Sequence, residues 1–305
     1  MADATPWCST LSRSDDEAGA GTSSRVRDWL LIQQPGPWGR DALTQSRLDA
    51  GLAQRLAAHA RAQGVRVLLL RRHGRGASQA RAQCYLAHTG PDASFVEGRR
   101  VDDLEELLDV NLARLRAGQR PGFGPLVERP LYLVCTNGRH DRCCAARGRP
   151  LAAALDAAYP EQVWEASHVG GCRFAGTVVC FPHGLYFGAL DPADGLRVAE
   201  RYERGLIDLT HFRGTPWLDP VAQAAESFVR RAEGLQAVGE LALERREVLD
   251  GGDVTIGFRT RSGARYRARI ATRPAPTARH LTCDAPSPLH PPVYALVDLS
   301  TDPAS

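Results

Sequence analysis

Two stretches decide the reading of this chain: Leu131-Tyr-Leu-Val-Cys135-Thr-Asn-Gly-Arg-His140-Asp-Arg-Cys143-Cys144 and Val163-Trp-Glu-Ala-Ser-His168-Val-Gly-Gly-Cys172. Each opens on a short apolar run, 131–134 and 163–167, that reads as a buried β-strand, and a helical pattern from Cys144 to Tyr159 separates the two. Soft ligands at the carboxyl ends of two adjacent strands can converge on one metal centre. The expectation is therefore a metal or iron–sulfur protein. Cys143 and Cys144 fall at the start of the helix, where partial positive charge and free backbone N–H groups favour thiolate over thiol. Gly138, Gly170 and Gly171 leave room for the backbone to approach a bound group closely. His168 and Cys172 flank a Gly-Gly pair, so both side chains are expected to reach the same metal.

The remaining cysteines and histidines read differently. His140 lies inside the first stretch and is expected to sit behind the ligands or face solvent. His183 falls in a hairpin turn and is expected at the surface. Cys84 and Cys180 alternate into strands and read as core, while Cys8 and Cys283 stand isolated in the sequence.

Working outward, the order of elements repeats. Strands are expected at 28–33, 65–70, 83–88 and 94–97, with helices at 48–62 and 102–115. The second half repeats the order with strands at 131–134, 162–166, 175–181 and 185–190 and helices at 144–159 and 192–204. Both halves thus read β-α-β-β-β-α, which suits two thioredoxin-like α/β units in tandem. The division expected is a loosely ordered lead-in at 1–25, a degenerate unit at 26–125, a ligand-bearing unit at 126–215 and a C-terminal extension at 216–305. At the strand end matching Cys135 the first unit offers Gln34-Pro35-Gly36-Pro37-Trp38-Gly39, which cannot ligate a metal, so that unit is read as scaffold or interface. The extension is expected to hold a helix at 221–232, antiparallel strands at 240–247, 254–260 and 265–271, and a proline-rich end.

Composition narrows the classes. The chain has 305 residues, of which 43% are hydrophobic, and a net charge of +3. That is a packed globular protein with too little charge to argue for nucleic acid. All 38 basic residues are arginine. Without lysine there is neither a Walker A phosphate loop nor a pyridoxal Schiff base. No apolar run is long enough to span a bilayer and no secretory signal is visible, so a cytoplasmic protein that does not enter a membrane is expected. In a reducing compartment grouped cysteines are more often ligands or redox groups than disulfides.

The runs CTNGRHDRCC and HVGGCRFAG, with WLLIQQPGPWG near the start, together resemble the sucrase/ferredoxin-like family, which includes the yeast actin-patch-distal protein. The resemblance covers residues 7 to about 230. It implies a thioredoxin-like ferredoxin domain holding a [2Fe–2S] cluster through a Cys-x8-Cys pair and a second pair with x3 spacing. On this chain those are Cys135 with Cys144 (Cys143 being the alternative) and His168 with Cys172. Thioredoxin-like ferredoxins use Cys-x3-Cys for the second pair and the yeast-type members His-x3-His, so this chain mixes the two. One histidine makes the cluster a charge less negative and raises its potential, and a ligand that can be protonated allows electron transfer coupled to a proton. The resemblance implies an electron carrier rather than a stand-alone enzyme, with a redox partner protein and no catalytic residues of its own. Glycosidase chemistry is not expected, since no carboxylate pair reads as acid and nucleophile. A structural zinc module using the same four residues and a thiol–disulfide oxidoreductase are the alternatives. The lack of Cys-x-x-C weighs against the latter.

Overall fold

The architecture is that of a computed structural model, which describes residues 7–74 and 81–302. In chain order the elements begin with helix α1 (Cys8–Ser14), strand β1 (Asp28–Gln33), helix α2 (Ala50–Ala62) and strands β2 (Arg66–Arg71), β3 (Ala82–Thr89) and β4 (Ser94–Val101). A 3-10 turn at Leu104–Leu108, helix α3 (Leu112–Arg116), strand β5 (Leu131–Cys135), helix α4 (Arg142–Ala158) and strand β6 (Val163–Ala166) follow. After a 3-10 turn at Cys172–Phe174 come strands β7 (Val178–Phe181) and β8 (Leu185–Phe187), helix α5 (Pro192–Glu203) and strand β9 (Phe212–Gly214). The chain then forms helix α6 (Pro220–Glu233) and strands β10 (Leu241–Val248), β11 (Val254–Thr260), β12 (Arg265–Pro274) and β13 (Pro292–Asp302).

The protein is mixed α/β, with one nine-stranded sheet in the order β4-β3-β1-β2-β6-β5-β7-β8-β9 and a smaller antiparallel sheet, β10-β11-β12-β13. In the large sheet β1 runs parallel to β2 and antiparallel to β3, and β5 runs parallel to β6 and antiparallel to β7. The two halves join edge to edge through an antiparallel β2–β6 pairing, Leu70 opposite Ala166 and Arg71 opposite Glu165. At that seam the buried Glu165 accepts hydrogen bonds from Arg71, at 2.6 and 2.8 Å, and from Thr136 at 2.8 Å. His73 lies 2.7 Å from the same carboxylate.

Alternation along the strands divides the core. On one face Leu30 and Ile32 pack with Leu52 and Leu56 of α2, while Tyr132 and Val134 pack with Leu151 and Leu155 of α4. On the other face a single cluster crosses the seam, joining Trp29, Leu31 and Leu70 to Leu133, Cys135, Trp164 and Cys172. In the extension α6 covers the small sheet through Ala222, Ala225 and Val229 against Ile256 and Phe258.

Three sequence expectations change. The helix expected over 102–115 breaks in two, because Asp103 caps the first turn and Asn111 caps a second start at α3. The proline-rich end carries β13, the partner of β12, and Pro292 sits at its first residue, where no ladder hydrogen bond is needed. The described part of the lead-in is held rather than loose. Cys8 and Ser9 are buried, Arg13 donates to the Ala175 and Leu190 carbonyls, and Gly21 and Thr22 donate backbone hydrogen bonds to Arg213.

Candidate metal centre

Parallel pairing of β5 with β6 puts Cys135 opposite Ala166, so both stretches leave the sheet at neighbouring strand ends. From β5 the chain turns through 136–140 into α4, whose N-cap, Asp141, accepts the Cys143 backbone N–H at 2.8 Å. The helix lies close against its own strand. A Cβ at Gly148 would stand 2.0 Å from the Cys135 carbonyl oxygen, so only glycine fits there. From β6 the chain runs through His168, Gly170 and Gly171 to Cys172, which opens a 3-10 turn.

The four expected ligands come together. His168 Nδ1 lies 3.9 Å from Cys135 Sγ, 3.9 Å from Cys144 Sγ and 3.8 Å from Cys172 Sγ. The three cysteines are buried and His168 is half-exposed, lining with His140 a cleft of about 210 Å³. Cys144, rather than its neighbour Cys143, faces this group, as the turn of about 100° between successive helical residues requires. His140 stacks on His168 with ring centroids 3.6 Å apart. Its Nδ1 lies 3.2 Å from the Arg40 carbonyl oxygen, and it falls in a second possible ligand group with His168 and Cys172. His183, expected at the surface, is half-buried against the Tyr202 hydroxyl at 2.6 Å, while Cys84 and Cys180 are in the core.

The loop carrying His168 is tied at three successive carbonyls. Arg66 donates to His168 O at 2.8 Å, Ser24 and Tyr186 donate to Val169 O, and Arg213 donates to Gly170 O at 3.3 Å. Gly170 and Gly171 both have positive φ, and Cβ atoms there would strike Ser24 Oγ and Arg213. Arg213 is 1% exposed and stacks over Phe174 and Tyr186. Burial pushes its pKa down to about 10, against the nearby Cys172 and Cys135.

The electrostatics favour thiolates. A hydrogen bond from Cys144 holds the Cys135 thiol well below its ordinary range, despite burial, and His168 adds to the effect. The same Cys144 thiol, aided by His140 and His168, pushes Cys172 down to about 5. Cys144, the donor to both, is raised. Burial opposes charge on His168, but hydrogen bonds to Cys135 and Cys172 lift it to about 9. Three buried thiols, two of them held toward thiolate, and a half-exposed imidazole fit a thiophilic metal or an iron–sulfur group.

The sequence offered no sign of a second group. Cys8 and Cys283, isolated in the sequence, meet Asp141 and Cys143 at the α4 N-terminus. They are separated from it by more than 130 residues each, so no local spacing announces them.

The sucrase/ferredoxin-like family profile matches residues 20–214, and the chain belongs to that family. Neither the curated proteins nor the solved structures compared with the chain gave a match. No helix among the described residues is long and apolar enough to cross a membrane.

Proposed function

We propose that this protein is a one-electron carrier whose large sheet consists of two thioredoxin-like units, the second holding a [2Fe–2S] cluster through Cys135, Cys144, His168 and Cys172. The observation that carries the reading is the approach of the Cys135, Cys144 and Cys172 sulfurs to within 3.9 Å of His168 Nδ1 at the ends of two parallel strands, in a chain of the sucrase/ferredoxin-like family. When bound, such a cluster supplies reversible one-electron chemistry. The protein's part is ligation, burial and access. The cysteines exclude water, the tied 168–171 loop fixes the fourth ligand, and Arg213 offsets negative charge at the centre. His168 and His140 face the cleft, so electrons enter and leave by the histidine edge, against a redox partner protein that docks there. The first unit supplies scaffold, its 34–39 loop meeting the ligand loop where Asn137 donates to the Gly39 carbonyl. A cytoplasmic location accords with centres built on reduced cysteines.

Anaerobic purification tests the reading. The expected product is brown, carries iron and acid-labile sulfide in equal amounts, and gives an EPR signal on reduction. A colourless protein with stoichiometric zinc at these four residues would replace the electron carrier with a structural metal module.

A further inference from the structure

Cys8, Asp141, Cys143 and Cys283 form a second constellation, and nothing in the electron-transfer reading uses it. Their donor atoms all lie within 4.8 Å of one another. Cys8 Sγ lies 3.6 Å from Cys143 Sγ and 3.6 Å from Cys283 Sγ, Cys143 Sγ lies 3.1 Å from Cys283 Sγ, and Cys8 Sγ is 3.8 Å from Asp141 Oδ2. Cys8, Asp141 and Cys143 are buried to within 1% and Cys283 is half-buried. Asp141 is fixed from two sides, accepting the Cys143 N–H on Oδ1 and the Cys283 N–H on Oδ2, both at 2.8 Å.

We infer that these four residues bind a single zinc ion that clasps the N-terminal helix and the β12–β13 connection onto the first turn of α4. Four donors around zinc at about 2.3 Å sit at tetrahedral edges of about 3.8 Å, close to the separations found here. Three thiols in mutual contact suit one ion better than a disulfide, which joins two sulfurs at about 2.05 Å and leaves the third unpaired. The two groups also differ in extent. The donors of the first centre fall into two overlapping sets, Cys135–Cys144–His168 and His140–His168–Cys172, whereas the second is one closed set of four. Full ligation and burial leave no open position for substrate, which marks a structural site. The segments it joins are otherwise linked by Arg279, from the same connection, to Asp15 and Glu17 at the end of α1. Adjacent residues of α4, Cys143 and Cys144, thus serve different centres, and the clasp covers the helix end that carries the first one.

X-ray absorption at the zinc edge of the wild-type chain, with metal analysis of variants, tests this. About one zinc per chain is expected, in a shell of three sulfurs and one oxygen. Cys283→Ser and Cys8→Ser each lose that zinc and keep the iron, while Cys172→Ser loses the iron and keeps the zinc. The inference does not rest on the iron–sulfur reading. If the first centre also held zinc, Cys283→Ser and Cys172→Ser would each remove one of two equivalents. Wild type without zinc, zinc with no sulfur shell, zinc unaffected by Cys283→Ser, or an intact mass short by the two hydrogens of a Cys143–Cys283 disulfide would each overturn it.

Discussion

At the scale of single residues, neighbouring cysteines on α4 have separate partners. Cys144 faces His168 at 3.9 Å and Cys143 faces Cys283 at 3.1 Å. Cys144→Ser is therefore expected to abolish nearly all the visible absorption of the purified protein. Cys143→Ser should retain most of it, and equal loss in both would merge the two groups. In the proposed cluster His168 is the ligand that departs from the four-cysteine pattern. His168→Cys should keep a cluster and lower its midpoint potential, through the added thiolate charge, by on the order of 100 mV. Protein-film voltammetry reads that shift, and an unchanged potential would place the histidine outside the ligand set. The resemblance to the sucrase/ferredoxin-like family, through its x8 and x3 spacings, singled out these four residues in the sequence, and the fold places the three sulfurs within 3.9 Å of His168 Nδ1. The stacking of His140 on His168 was not, because it depends on the Arg40 carbonyl from another part of the chain.

At the scale of elements, the 168–171 loop is rigid because its carbonyls are occupied and its glycines have no room for a side chain. Gly171 sits at φ +74°, and a Cβ there would lie 2.2 Å from Arg213 Nη2. Gly171→Ala should cost about 1–3 kcal/mol from backbone strain alone, read by denaturant unfolding of the metal-free protein. Cluster occupancy should fall with it. A variant as stable as wild type would show that the loop relaxes freely. Most elements were legible from periodicity: β1 at 28–33 and β11 at 254–260 fall where the apolar pattern puts them. The failures have local causes. Asn111 restarts the helix within an apolar pattern that runs on through Leu112 and Leu115, and β13 hides behind prolines that end just as the strand begins. β9 is only three residues long and is held by its pairing with β8, so it carries no pattern of its own.

At the scale of the whole molecule, the repeated strand order was legible but the joining of the halves into one sheet was not. The β2–β6 seam rests on a buried carboxylate from one half meeting the Arg71 cation and the His73 ring from the other, which no local pattern encodes. Burial works against charge on Glu165, but Arg71, with His73 and Thr136, outweighs it and holds the pKa below the ordinary carboxylate range. A depressed folded pKa adds stability above the unfolded value, about 4.3, and that stability is lost as pH falls through the folded value. Glu165→Gln should therefore destabilise the protein by about 2 kcal/mol at neutral pH, with the gap to wild type closing in acid. Chemical denaturation across that range checks it, and a gap independent of pH would show that the charge contributes nothing.

The central claim, a [2Fe–2S] centre with three cysteines and one histidine, is tested most directly by pulsed EPR on the reduced protein with 15N-labelled histidine. The account predicts a strong nitrogen coupling in wild type that disappears in His168→Cys and persists in His140→Ala. A reduced signal without histidine coupling, or a coupling that survives His168→Cys, would contradict it.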